Sequence, residues 1–183
     1  MESAHIKVPA ELFALAESSR FEGELDKKTM TAAPDEYRFT TPIAWQVDVT
    51  NTGEAFLIAG SAKASAETDC ARCLKSFEID FEGDIEGYII IDAEGEGPTD
   101  LEDDEFDFLP ADHIIDLEPL IMAGLIMDAP NVPLCKEDCL GLCPHCGADL
   151  NEGACDCDFS EEEAAFEEAK NPFAALKNFD FGD

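Results

Sequence analysis

Basic residues are scarce in this chain. Its 183 residues include 11 Lys and Arg against 43 Asp and Glu, which gives a formal net charge of -32 at pH 7. Phosphate binding draws its affinity from Lys and Arg that displace counterions, so this composition argues against a broad surface for direct nucleic-acid binding. A basic protein is the partner that such a charge favours.

Long apolar runs are also missing. No stretch approaches the roughly 18 consecutive apolar residues that are typical of a membrane-spanning helix. The opening MESAHIKVPAELF has neither a basic beginning nor a long apolar run, so it does not resemble a signal peptide. We therefore expect a cytoplasmic protein without a membrane partner.

Sequence signals for catalysis are few. The three histidines are His5, His113 and His145, and none stands in a recognisable base–nucleophile arrangement. The chain has no P-loop and no dinucleotide-binding glycine motif. We expect no catalytic residues, no organic cofactor and no enzymatic activity.

Cysteine, in contrast, is abundant and closely spaced. Two thiolates from one tight turn can face a single tetrahedral cation, and eight such ligands fill two four-coordinate zinc sites. The sequence CPHCG adds a Pro and a Gly that suit a sharply turned metal knuckle. The sequence thus predicts two structural zinc ions. The predicted ligands are Cys70, Cys73, Cys135, Cys139, Cys143, Cys146, Cys155 and Cys157.

Three other uses of these cysteines are weighed against zinc. Disulfide frameworks occur mostly in short secreted chains, whereas this chain shows no signal peptide. A redox-active C-x-x-C at Cys70 and Cys73 should begin a helix of a βαβ unit, but here it lies between two strand patterns. A redox-switched zinc chaperone has C-x2-C and C-x-C spacings too, but the order and the extra C-x3-C differ.

Alternating hydrophobicity dominates the first half of the chain. Apolar residues recur at every second position in residues 43–49, 56–66 and 77–91, and Asn51-Thr52-Gly53 predicts a turn. Residues 36–91 are therefore predicted to form an antiparallel meander with the first cysteine pair at a hairpin tip, and residues 20–25 a further strand. The predicted fold class is α+β, a β meander or partial barrel with a few helices and a cysteine-rich zinc-knuckle module.

The second half is punctuated by acidic and helical segments. Residues 92–108 contain nine acidic side chains and are predicted to be a solvated loop. Asp116 can cap a helix that runs to about Met127, and Ser160 with Glu163 has the spacing of a capping box. We expect a β-rich core domain over 1–130, a zinc-binding module packed on it over 131–158, and a short helix and tail over 159–183.

Three motifs, in order, resemble one known family. They are CARCLKSF after a strand, IDLEPLIMAGLIMDAPNVPLC, and a CxxxCxGLCPxCGxxLN string, with NPFAAL near the end. This combination resembles the YceD-like large ribosomal RNA subunit accumulation proteins. The resemblance spans residues 70–176 and is loose in the N-terminal third.

The resemblance implies a cytoplasmic bacterial or organellar protein that supports normal levels of large-subunit ribosomal RNA without catalysing a reaction. It also implies a first metal site at Cys70, Cys73, Cys135 and Cys139, which leaves the other four cysteines for a second site. A partition that joins Cys70 and Cys73 to Cys143 and Cys146 stays open. We expect the protein to act on a basic ribosomal protein or a large-subunit assembly intermediate, with a redox-switched zinc chaperone as the alternative.

Overall fold

The structure, a computed structural model, describes residues 4–92 and 106–157. The chain divides into two compact units, Met1–Glu137 and Asp138–Asp183. The predicted domain boundaries after residues 130 and 158 stay a prediction. The strands of the first unit are β1 (His5–Lys7), β2 (Ser18–Leu25), β3 (Thr29–Ala32), β4 (Asp35–Phe39), β5 (Ile43–Asn51), β6 (Ala55–Asp69), β7 (Ser76–Ile90), β8 (Asp107–Phe108) and β9 (Ile114–Asp116). A 3-10 helix spans Ala10–Phe13, and helix α1 spans Glu118–Asp128.

The long β6–β7 hairpin is the centre of the fold. Its two strands have 15 residues each and pair antiparallel from Ala55 opposite Ile90 to Asp69 opposite Ser76. Side chains alternate across a strand, so the odd-numbered residues of β7 are buried, as Phe81 and Ile85 are, or half-buried. The predicted antiparallel sheet, with the first cysteine pair at this hairpin's tip, is confirmed.

The remaining strands extend the sheet from β6. β7 pairs along one edge of β6, while β5 and then β4 pair along the other. β2 pairs with β5, β3 pairs with β4, and β8 adds to β7 in parallel. Among the described strands no ladder joins β2 or β3 back to β7, so the sheet is open.

Helix α1 packs against β6 and β7 at an unusually close distance. A Cβ at Gly83 would lie 2.4 Å from the backbone of Gly124, and a Cβ at Gly124 would lie 2.1 Å from the carbonyl oxygen of Asp84. Two glycines facing each other therefore allow the helix backbone to rest on the strand backbone. This contact lets Ile121 and Leu125 reach the core, where both are fully buried.

The segment before α1 differs in part from its prediction. The last residues of the predicted acidic loop, Asp107–Phe108, form β8, and Leu109 after them is buried. Their alternation of charge and apolar side chains suits a strand edge better than a solvated loop. Asp116 caps the helix from the position before the N-cap, which is Leu117. An oxygen of Asp116 accepts the N–H of Glu118, the first residue of α1, at 2.9 Å. Asp116 also ends β9, which pairs with β1 in a separate two-stranded sheet.

Several predicted features fall outside the described residues. They are most of the acidic loop, at residues 93–105, and the helix predicted from Ser160 with the NPFAAL motif after it. Within the described residues, α1 is the one α-helix, and no helix there has the length and apolarity to span a membrane.

The close approach of α1 to β7 generates a stability prediction. Gly124→Ala should lower the free energy of unfolding by about 1–3 kcal/mol despite the better helix propensity of Ala, because the new Cβ meets backbone that cannot move alone. Denaturant unfolding followed by Trp45, the single tryptophan and a core residue, measures this. Met127→Ala on the exposed side of the same helix is the control and should change stability by less than about 0.5 kcal/mol. Equal stability of the wild type and Gly124→Ala would contradict the close-contact account.

Candidate metal centres

The first cysteine pair lies in a tight turn at the tip of the β6–β7 hairpin. The N–H of Leu74 donates to the carbonyl oxygen of Cys70 at 2.9 Å, and the N–H of Cys70 donates to the carbonyl oxygen of Lys75 at 3.0 Å. Leu74 has a φ of 59°, in the left-handed region. This turn places the Cys70 and Cys73 thiols on the same side, and both residues are buried.

Cys143 and Cys146, the second C-x-x-C of the chain, lie in a turn of the same kind. The N–H of Gly147 donates to the carbonyl oxygen of Cys143 at 2.9 Å, and the N–H of Cys143 donates to the carbonyl oxygen of Ala148 at 2.8 Å. The N–H of Cys146 points at the Cys143 sulfur at 3.4 Å. Gly147 has a φ of 73°, so the residue after the second cysteine is left-handed in both turns. Both C-x-x-C segments are therefore knuckles of one geometry.

The eight cysteines converge in two groups of four. In each group the sulfur atoms all lie within 4.8 Å of one another. The first group is Cys70, Cys73, Cys135 and Cys139, and the second is Cys143, Cys146, Cys155 and Cys157. This is the partition that the family resemblance implied, and the alternative that joins Cys70 and Cys73 to Cys143 and Cys146 is not the one that forms.

The sulfur spacing fits a tetrahedral metal site. The Cys73 and Cys135 sulfurs are 3.7 Å apart, whereas a disulfide bond is about 2.05 Å long. Four sulfurs at about 2.3 Å from a tetrahedral zinc ion are about 3.8 Å apart. None of the eight cysteines, all of them in the described part of the chain, forms a disulfide bond. Each group could therefore hold one metal ion.

Backbone contacts position the ligands of the first group. The N–H of Ala71 donates to the carbonyl oxygen of Pro133 at 2.9 Å, which ties the hairpin tip to the segment that carries Cys135. The side-chain amide of Asn151 donates to the Cys139 sulfur at 3.5 Å, and its oxygen accepts the N–H of Leu140 at 2.9 Å. Such second-layer contacts orient metal ligands. The metal-ligand spacing did not single out Asn151, although it is the last residue of the CxxxCxGLCPxCGxxLN string, because a side chain that assists a thiolate has no fixed distance from it in the chain.

Several of these thiols have a shifted pKa. Burial raises the pKa of Cys70, but backbone N–H groups of Cys135 and neighbouring residues outweigh it and lower that pKa to about 6. The backbone N–H of Cys146 likewise lowers the pKa of Cys143 to about 6. The hydrogen bond with the Cys146 thiol, together with burial, raises the pKa of Cys157 to about 12. Adjacent thiolates repel one another, so complete ionisation of the second group needs a cation.

Comparison with known proteins assigns the chain to a family. Residues 58–180 match the model of the family described as large ribosomal RNA subunit accumulation protein YceD. The chain belongs to this family. The match begins within β6 and includes the rest of the β6–β7 hairpin, both knuckles and all eight cysteines, so the candidate metal centres lie wholly within the family region.

Individual relatives are mycobacterial. The chain is similar to uncharacterized proteins of Mycobacterium tuberculosis and Mycobacterium bovis, with 33% identity over 105 residues, 56% of this chain and 48% of each relative. An uncharacterized protein of Mycobacterium leprae is 29% identical over 109 residues, 60% of this chain and 49% of the relative. The chain thus aligns with about half the length of these relatives. No solved structure matches the chain.

The left-handed Leu74 generates a prediction. A non-glycine residue pays roughly 1–2 kcal/mol for this conformation, and Leu74 is 67% exposed, so little packing offsets the cost. Leu74→Gly should raise the free energy of unfolding by about 0.5–1 kcal/mol, after the greater freedom of Gly in the unfolded chain is subtracted. Leu74→Ala keeps a Cβ and should gain nothing. Denaturant unfolding of all three proteins tests this, and equal gains for Gly and Ala would refute the strain argument.

Proposed function

We propose that this protein is a non-enzymatic ribosome-biogenesis factor that supports the accumulation of large-subunit ribosomal RNA. The observation that carries the proposal is the family match over residues 58–180. The contacts of two histidines are consistent with it: the His113 ring lies 5.1 Å from the Phe13 ring at an angle of 47°, and His5 Nε2 lies 3.9 Å from a carboxylate oxygen of Asp116. These contacts serve packing and pairing, and neither activates a nucleophile. Because ribosomal RNA accumulates there, the cytoplasm is the expected location.

Each group of four cysteines is proposed to hold one structural zinc ion. Four-thiolate tetrahedral sites suit zinc or iron, and closed sites of this kind without an open position are structural. The first site would cross-link the β6–β7 hairpin tip to the segment after α1. The second would fold the short 143–157 segment, which has little apolar content of its own to bury.

The proposed mode of action is contact with a basic ribosomal protein. A chain of net charge -32 repels RNA phosphates but attracts the Lys- and Arg-rich proteins that bind them. Free ribosomal proteins are basic, and an acidic holder would keep one soluble until it meets nascent ribosomal RNA. Association should therefore weaken as salt concentration rises, whereas bare RNA should not bind at physiological salt.

A redox-switched zinc chaperone is the second candidate. The exposed Cys135 and Cys146, one in each group, are the observation that favours it, because an oxidant can reach them. A modest dose of peroxide that releases zinc and exposes apolar surface would support this candidate, and retention of both ions would support the structural role.

Metal content and its partition are testable with two substitutions. The wild type should contain two zinc ions per chain, one for each group. Cys70→Ser should lose one ion and lower the stability of the whole sheet, whereas Cys155→Ser should lose one ion with loss of order confined to residues 143–157. Elemental analysis and thermal unfolding measure both. Loss of both ions from Cys155→Ser would contradict independent sites, and metal-free protein without free thiols would indicate disulfides.

The dependence of zinc binding on pH follows from the thiol acidities. Cys157, with its pKa near 12, is protonated at pH 7 in the metal-free protein and must release its proton to bind zinc. Zinc affinity should therefore fall as pH falls. The fall should steepen below about pH 6, where Cys70 and Cys143 also gain protons in the metal-free form. Competition with a chromophoric chelator from pH 5 to 8 measures this, and a flat profile would contradict thiolate ligation.

Depletion in the host tests the cellular role. Loss of the protein should lower the ratio of large-subunit to small-subunit ribosomal RNA, and a plasmid copy of the wild-type gene should restore it. An unchanged ratio on depletion would refute the proposed function.

A further inference from the structure

One face of the sheet in the first unit is turned away from the core. On β5, β6 and β7 buried residues largely alternate with exposed or half-buried ones, and on β2 half-buried residues alternate with exposed ones. Helix α1 packs on the more buried side. We call the opposite side the outer face. β7 contributes five acidic side chains to the outer face, one at every second residue. These residues are Glu78, Asp80, Glu82, Asp84 and Glu86.

The charge of the outer face is strongly negative, and its three cations are already paired. Arg38, opposite Glu67 in the ladder, lies 3.7 Å from an oxygen of Asp69 and 4.0 Å from one of Glu36. Arg20 makes two hydrogen bonds to the carboxylate of Asp48, at 2.9 and 2.7 Å, and Lys63 lies 2.7 Å from an oxygen of Glu82. Seven carboxylates on this face have no ion-pair partner among the residues that the structure describes. They are Glu22, Glu24, Glu67, Glu78, Asp80, Asp84 and Glu86.

The surface of the outer face is concave. Two depressions of about 530 and 540 Å³ lie next to each other on it and share Ala44 and Lys63. Glu22 and Glu24 of β2 border the first, and Asp80 and Glu82 of β7 border the second. The floor between them combines the small side chains of Ala44, Ser61 and Ser65 with the longer side chains of Gln46 and Lys63. We call this continuous hollow the outer trough.

The dimensions of the outer trough suit a helix. β2 and β7 are separated by three strand spacings, which amounts to about 14 Å. An α-helix with its side chains is about 10–12 Å wide. A helix seated on the small residues of β5 and β6 would direct its flanking side chains toward the carboxylates of β2 and β7.

The negative charge of the outer face determines which kind of helix can bind in the trough. The parts of this chain outside the described residues are themselves acidic: residues 93–105 carry seven acids and no base, and residues 158–183 carry eight acids and two lysines. A second copy would oppose the same negative face, and RNA phosphates would be repelled as well. A Lys- and Arg-rich segment can neutralise the unpaired carboxylates at the border of the trough.

We propose that the outer trough is the docking surface for a Lys- and Arg-rich helix of a protein partner. This inference rests on the proposed function, since it names the surface by which the protein would hold a basic ribosomal protein. The paired Arg20 and Lys63 keep the trough free of unbalanced positive charge. Lys63 is held against Glu82 at one border, so the helix backbone would rest on the small residues of the floor beside it.

The test uses the full-length, zinc-loaded protein and a fluorescent helical peptide of Ala and Lys as the probe. The triple variant Glu22→Gln, Glu24→Gln, Asp80→Asn removes charge from both borders and should weaken binding about tenfold at low salt. The control Glu11→Gln, Glu17→Gln, Glu54→Gln removes the same charge from exposed positions elsewhere and should weaken it less than about twofold. Ala44→Trp fills the trough without changing charge and should also weaken binding about tenfold.

The possible outcomes separate the trough from general attraction. Equal weakening by the two triple variants would show a field effect of the whole chain and overturn the proposal. Full binding by Ala44→Trp, or no binding by the wild type, would also overturn it. Unchanged thermal unfolding of each variant verifies that the sheet is intact.

Ribosomal RNA in the host distinguishes this proposal from the function on which it rests. If depletion lowers the large-subunit RNA ratio and the trough triple variant fails to restore it while the control triple succeeds, both stand. If the trough variant restores the ratio fully, the docking surface is wrong and the function stands. If depletion changes nothing, the function itself is refuted.

Discussion

The organisation of this protein depends on the close approach of four cysteine sulfurs, which lie within 4.8 Å of one another in each of two groups. Ionised thiols at that distance repel, and neutral thiols gain little from being gathered. Within the second group the pKa values diverge. The backbone N–H of Cys146 lowers the pKa of Cys143 to about 6, whereas a hydrogen bond with the Cys146 thiol and burial raise that of Cys157 to about 12. A divalent cation in each group would turn the repulsion into ligation and into folding energy.

The proposed first cation would act on the sheet through the hairpin that carries its ligands. β6 and β7 are the longest strands, α1 rests on β7 through Gly83 and Gly124, and the outer trough borders the same strand. A cross-link at the hairpin tip would limit the twisting of both strands. The shape of an interaction surface and the integrity of a metal centre would thus be coupled through one pair of strands.

The sequence allowed much of this fold to be predicted, because alternation and cysteine spacing are local signals. The strands around Trp45 and Phe81, helix α1 and the hairpin tip follow from them directly. Other features depend on what lies across space: the glycine contact between α1 and β7, the pairing of β1 with β9, and the amide of Asn151 at a thiol. Leu74 is the sharpest case, since its left-handed conformation is one for which Gly, as found at 147, is the expected residue.

X-ray absorption at the zinc edge tests the central claim most directly, because it reports the ligands of the bound ion itself. We predict about four sulfur neighbours per zinc at about 2.3 Å and no nitrogen or oxygen neighbour, averaged over both sites of the purified chain. A shell with nitrogen or oxygen ligands, or with clearly fewer than four sulfurs, would contradict the assignment of all eight cysteines to two closed structural centres.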